Sequence, residues 1–283
     1  MVERLAVKPR KNYKNVLWSQ GFTYPDTLTP EDTIVPYWNE KACYVFSKKD
    51  IADLAAAAEK LHFMSMEAVE YLLSGEMGTL GYSEAAFEQL LYSYAAQPPT
   101  LYGRFDLAYN PDSYGIKMFE YNAERATSLP EAGLAQAVWK DTVFPQSRQF
   151  NRLTEFLEAR WRAYRGVLPS TIHFIHQSST QDKRFEDWQN AAYMREIAKT
   201  AGYDTRGITV QDLRWNENDP EWFHDPFGER ILACFKLYPW DKLVDEDYGD
   251  VFVDGLGQNT MWIEPFWRNL VENKGDFHLR VLP

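Results

Sequence analysis

The 283-residue sequence has no run of about 18 apolar residues, the length a membrane-spanning helix needs. Its first twenty residues have no apolar core leading to a small-residue cleavage site, so no secretory leader is read there. Cysteine is scarce: Cys43 and Cys234 lie far apart in apolar surroundings. That excludes a disulfide framework and reads as two buried, reduced thiols in a cytoplasmic protein. With five histidines and no CxxC, a structural zinc site is not expected either. Positive charge is short, 30 Lys and Arg against 41 Asp and Glu, for a net charge of −11. Binding a phosphate backbone takes clustered cations, and the only basic stretch, Arg4 to Lys14, is short and terminal. Nucleic acid and membrane are therefore not expected partners. Glycine-rich phosphate loops of the GxxxxGK[ST] and GxGxxG types are missing, as is the GxSxG nucleophile elbow.

Aromatic residues, in contrast, are plentiful: 10 Trp, 17 Tyr and 17 Phe, or 16% of the chain. They imply a large aromatic core or an aromatic-lined cleft, and a carbohydrate-binding cleft is one use of the latter. The acidic surface suits a cationic small molecule such as a polyamine.

Patterning along the chain is mixed. The arm to about residue 42 shows no period and reads as irregular but packed. Ala42 to Phe46 reads as a strand, and Ser47 with Asp50 as a helix cap opening a long helix that Gly75 ends. A second helix runs from Ser83 to the stop at Gln97-Pro98-Pro99. Two strands, Thr100–Tyr109 and Gly115–Asn122, flank a turn at Pro111–Tyr114. Helices follow at about 130–143 and 150–164. After a linker at Gly166–Ser170 the pattern becomes strand, helix, strand: Thr171–His176, Phe185–Ala201 and Thr205–Val210, then strands at Ile231–Leu237 and Met261–Glu264. Short loops between them suggest a small open α/β unit.

The hairpin carries the most chemistry. Arg104 and Asp106 share one strand face, and Glu120 and Asn122 share one face of the other. A turn centred on Ser113 sets Asp106 opposite Glu120 and Arg104 opposite Asn122. Opposed Cβ atoms lie about 4.5–5.5 Å apart, so the two carboxylates repel unless a cation offsets them. Two carboxylates and an amide oxygen form the oxygen-only set that Mg²⁺ takes alongside phosphate oxygens. Arg104 could grip a phosphate or carboxylate with its fork. A solvated face on which Arg104 neutralises the acids accounts for the same residues. Glu124, Arg125, Thr127, Ser128 and Glu131 crowd the following turn, where Ser128 and Pro130 mark a helix start. Glu186 and Asp187 open another helix, either as dipole partners or as a cation-holding pair.

These residues, in order, resemble a known family. Arg104-Phe105-Asp106, then Gly115 through Glu124, then Ala126-Thr127-Ser128-Leu129-Pro130-Glu131-Ala132-Gly133, are similar to the synthetase domain of the glutathionylspermidine synthase family of ATP-grasp carbon–nitrogen ligases. Tyr37–Glu40 onward through Glu70, Phe235–Trp240, Trp262–Trp267 and Asn273-Lys274-Gly275 extend the likeness over about 36–275. The resemblance implies an α+β, ATP-grasp-like fold of the glutathione synthetase type with a small α/β pre-ATP-grasp unit, divided at about 1–168 and 169–283. It implies ATP and Mg²⁺ as cofactors, with small-molecule peptide and amine substrates. By the same resemblance Arg104 approaches the transferred phosphate and the substrate carboxylate. Asp106, Glu120 and Asn122 ligate Mg²⁺, Thr127 lies near the peptide, Glu186 and Asp187 lie near the polyamine, and Lys274 binds nucleotide. ATP would convert a peptide carboxylate to an acyl phosphate, which an amine then attacks. Two departures stand out. Arg125 occupies a position where glutathione-binding members have serine, and the likeness stops after Gly275. A chain truncated at its C-terminus, holding a peptide, polyamine or partner without catalysis, is therefore the alternative expectation.

Overall fold

A computed structural model describes residues 2–110, 115–178 and 185–272. Ser47 and Asp50 cap each other reciprocally, as the sequence pattern suggests: the Ser47 side chain accepts from the Asp50 N–H, and the Asp50 side chain accepts from the Ser47 N–H. In chain order the elements are β1 (Glu3–Ala6), α1 (Tyr13–Ser19), β2 (Asp26–Leu28), β3 (Ile34–Pro36), β4 (Ala42–Val45), α2 (Lys48–Leu73) and α3 (Glu84–Ala95). The hairpin strands β5 (Arg104–Tyr109) and β6 (Ile116–Asn122) come next. A π-helical turn, Glu131–Ala135, runs into α4 (Gln136–Val143), and α5 (Leu153–Ala163) follows. The remainder comprises β7 (Thr171–His176), α6 (Glu186–Thr200), β8 (Asp204–Thr209), β9 (Arg214–Trp215), β10 (Phe223–His224), β11 (Ala233–Leu237), α7 (Trp240–Leu243), α8 (Gly249–Val253), β12 (Met261–Ile263) and α9 (Arg268–Glu272).

Among the described residues the largest sheet has four parallel strands in the order β12-β11-β7-β8. Its inner strands β7 and β11 are short, buried, largely apolar runs because both faces are covered, whereas the edge strand β8 is mostly polar. Ile172, Phe174, Phe235 and Leu237 pack with Leu157 and Trp161 of α5 and Met194 and Ile197 of α6. On the opposite face Ile175, Ile208 and Cys234 meet Leu213, Phe223, Leu243 and Phe252. This second cluster is rich in aromatic rings. Phe223 stacks on Phe252 at 4.7 Å, and Trp240 lies edge-on to both Phe252 and Trp262.

The hairpin has an apolar side of its own. Phe105 and Tyr121, directly opposed in register, stack with centroids 3.9 Å apart. They join Val69 of α2, Phe87 and Leu90 of α3, and Leu270 and Val271 of α9. The chain thus returns after the parallel sheet to close the core beneath the hairpin.

Two expectations need correction. The N-terminal arm is not irregular: β1 pairs with β4 and β2 with β3, both antiparallel. Strands of three or four residues are too short to show a period, and the partner of β1 lies far along the chain. Cys43 is only partly buried, on a two-stranded sheet, whereas Cys234 is buried; both are free thiols. The expected turn at Pro111–Tyr114 lies outside the described residues. No helix among the described residues is long and apolar enough to cross a membrane.

Candidate functional site

In the hairpin Arg104 pairs with Asn122 and Asp106 with Glu120, the register a turn at Ser113 gives. From Leu107 onward the register slips by one, because a β-bulge leaves Phe119 without an opposite residue. Phe119 points into solvent. The bulge sits directly beside the acidic pair, so the polar face is confined to the end of the hairpin that leads to residues 123–128.

That polar face is knit together. Arg104 Nε lies 3.0 Å from Asp106 Oδ1, and its Nη2 lies 3.3 Å from Oδ2. Arg104 Nη1 donates to the Thr127 carbonyl and hydroxyl, both at 3.2 Å, and to Ser128 Oγ at 3.4 Å. Partial burial works against the Arg104 charge, but the hydrogen bond to Asp106 and the charges of Asp106 and Glu120 together outweigh it. Asn122 Nδ2 donates to Glu120 Oε1 at 3.0 Å and to Asp106 Oδ2 at 3.5 Å. The repulsion expected between the two carboxylates is therefore offset by donors on both sides. Among the described residues no three or more His, Cys, Asp or Glu groups are placed to hold a metal. The hairpin instead offers two carboxylates with an amide.

Two cavities open beside this face. The larger, about 560 Å³, is lined by Glu120, Asn122, Glu124, Arg125, Asp241 and Glu272 among others. The smaller, about 230 Å³, has Arg125, Thr127, Gln177, Asp187, Tyr238 and Lys242 in its wall. Arg125 and Pro239 line both. Glu272 Oε2 accepts the backbone N–H groups of Ala123 and Glu124. Burial pushes the Glu272 carboxyl above the usual range, and the charge of Glu124 adds to this.

The Thr127–Ser128 turn is held from behind. Ser128 adopts φ +71°, a left-handed conformation that costs a non-glycine residue and persists only where its surroundings fix it. Arg104 grips the turn on one side, and Asn190 Oδ1 accepts the Leu129 N–H at 2.9 Å on the other. Because Asn190 stands one turn into α6, the same contact places the start of α6, Glu186 and Asp187, next to the turn.

The expected site residues therefore divide. Arg104, Asp106, Glu120, Asn122 and Thr127 form one connected group. Asp187 reaches it through the smaller cavity. Glu186 lies toward Tyr24, Tyr37 and Glu131. Burial raises both tyrosines, and the charges of Glu131 and Glu186 raise them further. Lys274 lies outside the described residues. Two further buried charged residues stand beside the site without a sequence motif to mark them. Glu131 is buried, accepts from Tyr37 at 2.9 Å, and has one oxygen, Oε2, without a hydrogen-bond partner. At a helix start its acid reads as a dipole partner, which hides it. Lys236 is fully buried against Glu124, and a lysine inside an apolar strand was the available signal.

A family model described as glutathionylspermidine synthase preATP-grasp matches residues 4–280. The chain belongs to the glutathionylspermidine synthase family. It is 30% identical over 261 residues to a Haemophilus influenzae protein named "Putative acid–amine ligase", covering 91% of this chain and 64% of that one. It is 24% identical over 243 residues to trypanothione synthetase of Crithidia fasciculata, covering 77% of this chain and 36% of the relative. The bifunctional glutathionylspermidine synthetase/amidase of Escherichia coli K12 is 24% identical over 210 residues, with 72% and 32% covered. The chain thus spans less than two thirds of the length of these family members. Among solved structures, a glutathione synthetase-like effector from Globodera pallida, in apo form, aligns over 96% of this chain and 64% of its own. The TM-score is 0.58 at 15% identity. The fold is therefore glutathione synthetase-like, with mixed helix and sheet.

Proposed function

We propose that this family member is an ATP- and Mg²⁺-dependent carbon–nitrogen ligase joining a peptide-type carboxylate to an amine. The observation that carries the reading is the paired register of Asp106 with Glu120 and of Arg104 with Asn122, at the edge of a cavity that also holds Thr127's neighbour Arg125. The donor set fits Mg²⁺. Asp106 and Glu120 supply carboxylate oxygens, and Asn122, turned to present its amide oxygen, completes an oxygen-only set. Bound there, Mg²⁺ would offset negative charge on transferring phosphate.

The remaining roles fall to the chain's own groups. Arg104 holds the reacting carboxylate beside the Thr127 hydroxyl and offsets charge as phosphate is transferred to it. The carboxylate oxygen would take the phosphoryl group as ADP departs; a neutral nitrogen of the amine would then attack the acyl carbon, expelling phosphate, which carries off the proton the nitrogen loses. Glu186 and Asp187 hold the cationic amine. In this reading an ATP-grasp arrangement divides the chain at about 1–168 and 169–283, and Lys274 contributes to nucleotide binding.

The test is incubation of the chain with MgATP, glutathione and spermidine, reading ADP release and conjugate. Turnover that Asp106→Asn reduces supports the ligase. Absence of turnover together with absence of any MgATP-induced rise in melting temperature overturns it in favour of a catalytically inactive binding protein.

A further inference from the structure

The acidic half of the hairpin is too short to hold its own shape. Between the bulge and the roots of the two strands only three residue pairs remain: Arg104 with Asn122, Phe105 with Tyr121 and Asp106 with Glu120. A two-stranded ribbon is marginal by itself in water. Both roots are gripped by the segment that runs from Glu264 through α9, and Arg268 stands at the centre of the grip. Its Nε donates to the Ala123 carbonyl at 2.6 Å, just past Asn122. Its Nη2 donates to the Tyr102 carbonyl at 3.0 Å, just before Gly103 and Arg104. One planar fork thus spans the incoming and the outgoing strand. The N–H groups of the same two roots go to acids on either side of Arg268. Glu264 Oε1 accepts from Leu101 at 2.8 Å and from Tyr102 at 3.2 Å, and Glu272 Oε2 accepts from Ala123 and Glu124. Arg268 is buried, with Glu264 Oε2 3.4 Å from its Nε.

The grip extends one step further. Tyr102, whose carbonyl Arg268 holds, donates its hydroxyl to the Ala126 carbonyl, next to Thr127. Gly103 shows how close the packing is. A Cβ there would stand 2.5 Å from a Tyr121 ring carbon and 3.0 Å from Arg268 Nη2. Its φ lies outside the left-handed region, so space, not backbone conformation, calls for glycine here.

We infer that Arg268 is a positioning residue: its guanidinium sets the separation of the two hairpin roots, and so brings Asp106, Glu120 and Asn122 together as one ligand set. Through Tyr102 the same group places the Thr127 turn. The inference rests on the reading of those three residues as Mg²⁺ ligands. Arg268 lines neither cavity, so it acts through the backbone it holds and not on a substrate. A lysine would keep a charge beside Glu264 but lacks the fork that spans two carbonyls.

The experiment uses Arg268→Lys, with Gly103→Ala as a second variant that wedges the same contact apart without changing any charge. Melting curves fix a temperature at which each full chain is folded. Mn²⁺ binding is then titrated by electron paramagnetic resonance, and amide hydrogen exchange without metal is followed by mass spectrometry. Mn²⁺ affinity should fall about tenfold in both variants. Exchange should quicken about tenfold in peptides covering 101–106 and 120–128, while peptides from β7 and β11 keep the wild-type rate. A residue that only adds stability leaves the Mn²⁺ affinity of the folded chain unchanged, or quickens exchange throughout; either result overturns the inference. Mn²⁺ binding that Asp106→Asn weakens and both variants retain keeps the metal reading and sinks the positioning role alone. Absence of Mn²⁺ binding in the wild type sinks the metal reading instead. Quickened exchange confined to the roots would then keep Arg268 as the clamp of the hairpin, and uniform exchange would remove that as well.

Discussion

Lys236 Nζ lies 2.7 Å from Glu124 Oε2, with both side chains buried. This pair joins strand β11 to the segment that carries the chain from the hairpin to Thr127. Glu124 is fully engaged: the Trp240 N–H donates to the same oxygen at 3.0 Å, and Asn269 Nδ2 donates to the other at 2.9 Å. Lys236 also donates to the Tyr238 carbonyl at 3.0 Å and lies 4.7 Å from the Trp240 ring centre. Removing one member of such a pair strands the other charge in the interior. Lys236→Met should therefore cost about 3–5 kcal/mol, whereas the double change Lys236→Met with Glu124→Leu should cost much less. Urea denaturation of the two variants checks this. Equal losses in both would mean that the pair is not the element holding this segment.

Asp106 presents the opposite energetic case. Its pair with Arg104 is half exposed, so breaking it should change stability by no more than about 1 kcal/mol. Asp106→Asn and Glu120→Gln should instead lower Mg²⁺ or Mn²⁺ affinity several-fold while leaving the melting temperature nearly unchanged. Titration of Mn²⁺ by electron paramagnetic resonance reads this directly. Metal binding unchanged in both variants would return the hairpin acids to a solvated face neutralised by Arg104 and Asn122.

The hairpin could be read from the sequence because its register follows from one turn and a two-residue alternation, both local features. The bulge at Phe119 could not, since nothing in the strand Ile116–Asn122 marks where the partner strand slips. The parallel strand Thr171–His176 and the capped helix from Ser47 were legible for similar local reasons. The cross-chain contacts were not. Asn190 holding Leu129, Glu272 capping the Ala123 and Glu124 N–H groups, and Lys236 neutralising Glu124 each join residues 61 to 149 positions apart. These contacts, more than the hairpin itself, fix where Thr127 and Asp187 stand.

His173 should make stability depend on pH. It is buried, with Nε2 3.5 Å from Asp225 Oδ2 and the charges of Arg206 and Glu229 beyond. Burial lowers its pKa below the ordinary 6.5 despite the pull of Asp225. The unfolded chain thus takes up a proton first. The contribution of His173 is fully present above pH 6.5 and is lost as pH falls through the lower, folded-state value. Glu264 and Glu272, raised by burial, act in the opposite sense and lose stability as pH rises. The difference between wild type and His173→Gln isolates the histidine. Melting temperatures should fall more steeply between neutral and mildly acidic pH in the wild type than in the variant. Parallel curves would show that His173 is not what titrates.

Glu131 is the sharpest test of the amine end. Its buried Oε2 lacks a hydrogen-bond donor, and leaving such an atom unpaired costs about 1–3 kcal/mol or more. Glu186 bears on the same pair of tyrosines, so two acids and two aromatic rings share one small region. A cationic amine would supply a donor and relieve the carboxylate, with the exposed Tyr37 offering its ring. Glu131→Gln removes the charge and keeps the shape. It should leave the melting temperature of the free chain equal or higher, because the buried Oε2 that lacks a geometric partner is replaced by an uncharged amide. It should also weaken spermidine binding about tenfold and flatten its salt dependence, with any MgATP response unchanged. Calorimetry with spermidine, paired with melting curves, separates these effects. A variant that is less stable yet binds spermidine as the wild type does would make Glu131 a structural acceptor for Tyr37 and remove it from the amine end.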